Sequence, residues 1–169
     1  MAENAECTFL CVGDTGMSEA VVFGPNGLAQ GARPGSVIVD ASTISPSYSI
    51  RTAERLREKG ILDLEAPSTG SNTGAEGGTL TFMVGGDEAV YEKVKPYFEI
   101  MGKQFIIAAR NCCTHGLGLA AKLSQNIILS NILKAFIEAM VLAVKAGLGP
   151  KLLLDILNNS AARPMDKGR

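Results

Sequence analysis

The chain has 169 residues, of which 46% are hydrophobic and 20% are charged, a balance typical of a globular protein with an apolar core. Its formal net charge of −1 provides no basic field for a phosphate backbone, and tryptophan is absent, so nucleic-acid binding is not expected. The polar, acidic N-terminus MAENAE is unlike a signal peptide.

Short apolar runs alternate with amphipathic stretches, which predicts alternating strands and helices. In chain order the pattern predicts a strand over Cys7–Gly13, a short helix over Met17–Phe23, a turn-rich segment over Pro25–Gly35, a strand over Ser36–Ser42 and a helix from Pro46 to about Lys59. It then predicts a strand over Ile61–Pro67, a polar loop over Ser68–Gly78, a strand over Thr79–Gly86, a helix over Asp87–Met101 capped by Asp87, and a strand over Gln104–Ala109. Two helices follow, over Gly116–Leu148 and Pro150–Asn158.

Three clusters of small and polar residues fall at the ends of predicted strands: Gly13–Asp14–Thr15, Ser42–Thr43 and Thr69–Gly70–Ser71. An open α/β sheet binds its ligands outside the carboxyl ends of its strands, so the three clusters are expected to lie near one another. Each cluster alone is also consistent with ordinary turn chemistry.

The longest predicted element, the helix over Gly116–Leu148, would extend for roughly 45 Å. Charged and amide side chains interrupt its apolar surface, so it is not interpreted as a membrane span. Lys122 lies near its start and Asn126 lies four residues further on, on the same face. A lysine in such a helix is more often a surface residue whose stem covers apolar neighbours than a catalytic group.

The combination of three motifs resembles the β-hydroxyacid dehydrogenases, a family that includes 3-hydroxyisobutyrate dehydrogenase, tartronate semialdehyde reductase and the glyoxylate/succinic semialdehyde reductases. The chain reads EAPSTGSNTGAEGGTLTFMVGG over Glu65–Gly86, where the family has D-A-P-V-S-G-G followed by G-A-x-x-G-T-L-T-x-M-V-G-G. DASTISP over Asp40–Pro46 resembles D-x-S-T-x-x-P, and GLGLAAKLSQN over Gly116–Asn126 resembles G-x-G-x-x-x-K-x-x-x-N. The motifs occur in the family's order and spacing over nearly the whole chain.

The resemblance implies a role for each matching residue. Lys122 is implied as the catalytic lysine, which exchanges a proton with the substrate oxygen at the carbon that gains or loses hydride. The implied substrate contacts are Thr69, Gly70, Ser71 and Asn126, and the implied cofactor contacts are Val12, Gly13 and Thr43.

The chain departs from the family pattern at four of these motif positions. Thr69 replaces a serine, Ser71 a glycine, Glu65 an aspartate and Gly13 a proline. These changes bear on the identity of the substrate more than on the class of reaction. The only histidine, His115, lies at a loop position that varies in the family, so no acid–base role is expected for it.

The resemblance also implies an α/β fold made of the C-terminal part of a Rossmann-like nucleotide-binding domain, the long interdomain helix and the start of an all-α domain. The expected boundaries are 1–115 for the partial nucleotide-binding domain and 116–169 for the helical part. The glycine fingerprint G-x-G-x-x-G is absent from these 169 residues, so the chain is expected to lack the family's first strands and most of its helical domain, and to bind dinucleotides weakly.

Two functions follow as hypotheses. The first is an oxidoreductase that transfers hydride between NAD or NADP and a short-chain β-hydroxyacid or its semialdehyde. The alternative is a non-catalytic remnant or oligomerising module of the same family that binds no cofactor. Either form is expected to be cytoplasmic and homo-oligomeric, without membrane, nucleic-acid or metal partners. The four cysteines form no metal-ligand pattern and are expected to be reduced thiols: Cys7, Cys11, Cys112 and Cys113.

Overall fold

A computed structural model of the chain describes residues 2–107 and 115–160. Its strands are β1 (Cys7–Leu10), β2 (Val37–Asp40), β3 (Leu62–Glu65), β4 (Ser68–Thr69), β5 (Leu80–Gly86) and β6 (Gly102–Ile107). Its α-helices are α1 (Thr15–Phe23), α2 (Leu28–Gly31), α3 (Pro46–Arg57), α4 (Ser71–Glu76), α5 (Glu88–Met101), α6 (Leu117–Lys145) and α7 (Pro150–Asn158). A 3₁₀ turn over Ala2–Asn4 precedes β1.

The sheet is mixed, although its first part is parallel as the sequence predicts. β1, β2 and β3 pair in parallel in that order. β5 then runs antiparallel to both β3 and β4, which pair with successive parts of it, and β6 runs parallel to β5. The α/β fold class is therefore confirmed, with β5 reversed relative to its neighbour β3.

Side chains from successive residues of the central strands are buried on both faces of the sheet, because helices cover both. Val37 and Val39 of β2 join a core cluster centred on Phe98 of α5. Ile38, between them, belongs to a second cluster that includes Leu56 of α3. This alternation explains why β2 reads as a continuous apolar run.

The segment between β3 and β5 is more structured than the predicted polar loop. Ser68–Thr69 extends the sheet as β4, and Ser71–Glu76 forms the short helix α4. A short helix also lies within the predicted turn-rich segment, as α2. Cys7 and Cys11 are free thiols, as expected, whereas Cys112 and Cys113 lie outside the described residues, as do the last two residues of the predicted strand over Gln104–Ala109.

The chain divides into two compact units, Met1–Gln125 and Asn126–Arg169. In the second unit the remainder of α6 and the helix α7 expose many apolar side chains. Those of α6 are Ile127, Ile128, Leu129, Ile132, Leu133, Phe136, Ile137, Val141, Leu142 and Val144. The predicted domain boundary between residues 115 and 116 stays a prediction.

Among the described helices, α6 alone is long and apolar enough to cross a membrane when judged by length and composition. Lys134 and Glu138 lie within it, with Nζ and Oε1 3.9 Å apart. Each charged side chain near the centre of a bilayer costs about 2.5–3.5 kcal/mol. The interpretation of α6 as a helix that does not span a membrane rests on these charges and stays a prediction.

Candidate functional site

The loops that follow β1 and β2 are joined at the carboxyl ends of these parallel strands. The Val12 amide donates a hydrogen bond to Ser42 Oγ at 2.8 Å. The sequence-predicted cofactor contacts Val12, Gly13 and Thr43 therefore lie on two loops held against each other. Val12 is half-buried, whereas Gly13 and Thr43 are exposed and accessible to a ligand.

A network of hydrogen-bonded polar side chains at the end of β2 holds these two loops in place. Asp40, the last residue of β2, accepts hydrogen bonds from Ser18 Oγ at 2.6 Å and from the Ser42 amide at 2.9 Å. Ser18 Oγ also lies 3.4 Å from the Tyr48 hydroxyl. The motif residues Asp40 and Ser42 thus fix the shape of the loop that carries Thr43. Each accepts a hydrogen bond from a donor that would otherwise lack a partner.

The Thr69–Gly70–Ser71 segment turns sharply between β4 and α4. Gly70 has φ 139° and Ser71 has φ 55°, both in the left-handed region that favours glycine. A side chain at Gly70 would approach Leu80 Cδ2 to 3.0 Å. The positive φ at residue 71 explains why the family motif has glycine at this position, where this chain has Ser71. Thr69 is half-buried, and Gly70 and Ser71 are exposed.

Lys122 lies on the second turn of helix α6 and is half-buried. Its Nζ donates a hydrogen bond to Gln125 Oε1 at 3.3 Å. Burial lowers the pKa of the Lys122 ammonium from its ordinary value of 10.5. No hydrogen bond or ion pair in the described part of the chain joins Lys122 to Thr69, so their meeting at one substrate stays a prediction. Asn126 is half-buried and is the first residue of the second unit.

The start of α6 is attached to the sheet by a carboxylate whose role the sequence reading missed. Glu65, at the end of β3, is 1% exposed and accepts hydrogen bonds from the amides of Gly116 at 2.7 Å and Leu119 at 3.1 Å. Ser49 Oγ donates a third, at 2.5 Å. An acidic residue at the end of an apolar strand was the available signal, but its partners lie 51 and 54 residues away in the sequence.

His115 packs beside this attachment. Its Nε2 lies 2.9 Å from Asp63 Oδ2 as an ion pair, although Nε2 has no partner of good hydrogen-bond geometry among the described residues. Burial opposes the imidazolium, but the Asp63 carboxylate and the charge of Glu65 outweigh it and raise the pKa of His115 above 6.5. These contacts give His115 a structural role.

A cavity of about 370 Å³ lies between α3, β3 and α5, and His115 and Asp63 line it together with Glu54, Arg57 and Asp87. None of the sequence-predicted site residues lines this cavity. It is therefore separate from the candidate site, which is built at the carboxyl ends of the parallel strands. In the described part of the chain no group of His, Cys, Asp and Glu side chains is arranged to hold a metal ion.

Two family models match the chain. The model described as the NAD binding domain of 6-phosphogluconate dehydrogenase matches residues 1–118. The model described as the NAD-binding of NADP-dependent 3-hydroxyisobutyrate dehydrogenase matches residues 116–166. Together they cover the sheet, the loops of the candidate site and the helix that carries Lys122.

Curated relatives of the chain are named as dehydrogenases and reductases. The chain is 37% identical over 163 residues to 2-(hydroxymethyl)glutarate dehydrogenase of Eubacterium barkeri, covering 96% of this chain and 53% of the relative. It is 41% identical over 150 residues to 2-hydroxy-3-oxopropionate reductase of Escherichia coli, covering 89% of this chain and 50% of the relative. The chain thus spans about half the length of these relatives.

A solved structure of 3-hydroxyisobutyrate dehydrogenase from Mycobacterium tuberculosis, described with L-serine, is similar with a TM-score of 0.82 and 30% identity. The match covers 96% of this chain and 54% of that one. A 3-hydroxyisobutyrate dehydrogenase from Salmonella typhimurium gives a TM-score of 0.87 at 25% identity and covers 98% of this chain and 56% of that one. The architecture described above is therefore shared with solved proteins.

Proposed function

The chain belongs to the β-hydroxyacid dehydrogenase family, and from that premise we propose that it forms part of an oxidoreductase that uses NAD or NADP. The proposed substrate is a short β-hydroxyacid or the corresponding semialdehyde, in keeping with the names of the curated relatives. The observation that carries the proposal is the half-buried Lys122 ammonium, whose pKa burial lowers, on a helix attached to the sheet of the nucleotide-binding fold.

The loops at the carboxyl ends of β1 and β2 fit the nicotinamide end of such a cofactor. Gly13 and Thr43 are small and exposed, and the bond between Val12 and Ser42 holds their loops together. When bound, the cofactor supplies or accepts the hydride. The glycine fingerprint that holds the pyrophosphate in this fold does not occur in the 169 residues, so these residues are proposed to contact only the nicotinamide end.

Lys122 is proposed as the general acid and base. During carbonyl reduction negative charge builds on the substrate oxygen, and the ammonium donates a hydrogen bond and then a proton to it. During alcohol oxidation the neutral amine takes that proton back. A lysine with a lowered pKa is better matched to this exchange near neutral pH than an exposed one, because more of it is neutral and its proton is less tightly held.

Thr69, Gly70 and Ser71 are proposed to bind the carboxylate of the substrate. The Thr69 hydroxyl and the backbone amides of the turn are suitable donors for an anionic oxygen. The exposed position of Gly70 and Ser71 leaves them accessible. Asn126, which lies one turn beyond Lys122 on the same face of α6, is proposed to orient the substrate.

Oxidation of NADH and NADPH with a panel of short semialdehydes tests the proposal, on this chain and on a version extended to the length of its relatives. Loss of a general acid–base group lowers kcat by roughly 10²–10⁴-fold, and Lys122→Ala is expected to fall in that range with little change in KM. Lys134→Ala, an exposed lysine on the same helix, is the matched control and is expected to keep full activity. Equal activity of wild type and Lys122→Ala would show that the assignment is wrong.

The alternative, a non-catalytic oligomerising module, is favoured by one observation. The second unit exposes a long row of apolar side chains, with Ile127 64% and Leu142 72% exposed. A surface of this kind is typical of a protein interface. A chain that self-associates but neither binds nor oxidises NADH or NADPH at any length would support this function over the first.

A further inference from the structure

The carboxylate of Glu65 is buried, and both of its oxygens accept hydrogen bonds. Burying an isolated carboxylate is costly, and it is tolerated only when donors replace the lost water. Here one hydroxyl and two backbone amides do so, at 2.5, 2.7 and 3.1 Å. The three donors come from α3 and from the start of α6, so a single side chain connects β3 with both helices.

The position of this carboxylate corresponds to a helix cap supplied from another element. The first amides of an α-helix have no partner within the helix, and its N-terminus carries partial positive charge. Glu65 Oε1 and Oε2 accept from the amides of Leu119 and Gly116 at this end of α6. The interaction therefore fixes where the helix begins relative to the sheet, which a local cap would not do.

Two glycines allow this close approach. A side chain at Gly118 would lie 3.1 Å from Glu65 Oε1, and one at Gly85 would lie 2.5 Å from the same atom. Both distances are shorter than an ordinary contact. The absence of side chains at Gly118 and Gly85 leaves space for the carboxylate between the helix and β5.

A second carboxylate of β3 reinforces the attachment. Asp63 lies two residues before Glu65 and so on the same face of the strand. Asp63 pairs with His115, and His115 directly precedes Gly116, whose amide donates a hydrogen bond to Glu65. Residues 115–119 are thus attached to β3 at two points.

Lys122 follows Leu119 by three residues, which places it on the neighbouring turn of the same helix. We propose that Glu65 is a positioning residue, which sets the location of the Lys122 ammonium by fixing the first turn of α6 to the end of β3. The inference rests on the proposed catalytic role of Lys122 for its consequence in the reaction. The attachment itself can be measured without any reaction.

Glu65→Gln is the sharpest test, because it keeps the size of the side chain and exchanges one acceptor oxygen for a donor that cannot accept an amide. Amide hydrogen exchange at Gly116 and Leu119 is expected to accelerate by about ten- to a hundredfold, corresponding to the loss of hydrogen bonds to a charged group. Trace acetylation of Lys122 as a function of pH, read by mass spectrometry, is expected to show its pKa moving up towards 10.5 as the turn loosens.

Three further variants keep the test decisive. Glu65→Asp keeps the charge and is expected to fall between wild type and Glu65→Gln in both measurements. Ser49→Ala removes the hydroxyl donor and keeps both amide bonds of the helix cap, so it is expected to leave the exchange of Gly116 and Leu119 unchanged, and Glu65→Asp carries the test if Glu65→Gln does not fold. Val94→Ala is the control for destabilisation alone, because Val94 lies in a core cluster that includes no residue of α6. It is expected to lower the melting temperature without changing the exchange of Leu119 or the labelling of Lys122.

The outcomes separate this inference from the proposed function. Unchanged amide exchange and Lys122 labelling in a folded Glu65→Gln variant would overturn the positioning role, whatever the enzyme assay shows. If exchange and labelling change as expected while Lys122→Ala keeps activity, the attachment stands and the proposed function fails. If both hold, the semialdehyde assay is expected to show a lower kcat for Glu65→Gln with a smaller change in KM.

Discussion

A methyl group added at Gly118 is the smallest change that should displace the helix carrying Lys122. In Gly118→Ala the new carbon would lie 3.1 Å from both Glu65 Oε1 and the Gly85 amide nitrogen, and closer still to the Met83 carbonyl oxygen. Comfortable contact begins at about 3.5 Å. The contact with the Met83 carbonyl oxygen is the tightest of the three, so the first turn of α6 must move by roughly 1 Å away from β5, since backbone atoms cannot give way as a flexible side chain would.

Both stability and activity should report this movement. Overpacking of this kind costs about 1–3 kcal/mol, which for a chain of this length lowers Tm by roughly 2–12 °C. A catalytic group misplaced by 1 Å can lose about 10²-fold in rate, so a displacement of this size is expected to lower kcat by up to about a hundredfold. Thermal unfolding and NADPH oxidation, with the semialdehyde that the wild-type protein reduces best, measure the two effects.

Gly149→Ala is the matched control. No atom lies within 4 Å of the carbon that this substitution adds. It is expected to change Tm by no more than about 2–4 °C, the effect of a small loss at the start of α7. If Gly118→Ala were as stable and as active as Gly149→Ala, the close approach of α6 to β5 would not be what places Lys122.

Three further predictions follow from single features. Ser71→Gly is expected to raise the free energy of unfolding by about 0.5–1 kcal/mol, because glycine adopts φ 55° without strain, and urea unfolding at pH 7 that shows no gain would contradict it. The raised pKa of His115 means that the folded state binds its proton more tightly, so this stabilisation is present below pH 6.5 and is lost as pH rises through the folded-state pKa. Urea unfolding across this range should show the loss in wild type and not in His115→Gln. The exposed apolar surface of α6 should make the 169-residue chain self-associate, and a monodisperse monomer in light scattering would argue against it.

Elements built from local patterns were predictable from the sequence. The apolar run over Ser36–Ser42 predicted the strand β2, and Asp87 was predicted as the cap of α5, where its Oδ1 accepts a hydrogen bond from the Ala89 amide at 2.7 Å. Strand direction was not predictable for β5, since alternation and propensity are the same in either orientation. The segment Ser71–Glu76 was interpreted as loop because its serine, asparagine, threonine and glycine are poor helix formers, and the helix forms there nonetheless.

The candidate site also has a part that could be predicted from the sequence and a part that could not. The clusters at Gly13 and Thr43 were expected to lie near one another because both follow strands of an open α/β sheet, and the hydrogen bond from Val12 to Ser42 joins their loops. Glu65 was noticed only as a departure from the family's aspartate. Its three donors come from two other segments of the chain, and no local pattern contains that information.

The two halves of α6 differ in the contacts that fix their position. Its start is fixed by the Glu65 carboxylate and packs Leu119 to full burial, so Lys122 lies beside an anchored turn. From Ile127 onward most of the apolar side chains of α6 are exposed in the described part of the chain, and a row of that kind gains stability only when another surface covers it. The position of Lys122 therefore depends on the sheet, whereas that of Asn126, at the start of the second unit, depends on whatever covers the rest of the helix. A substitution in the exposed row of α6 should accordingly weaken the substrate binding proposed for Asn126 before it alters the pKa of Lys122.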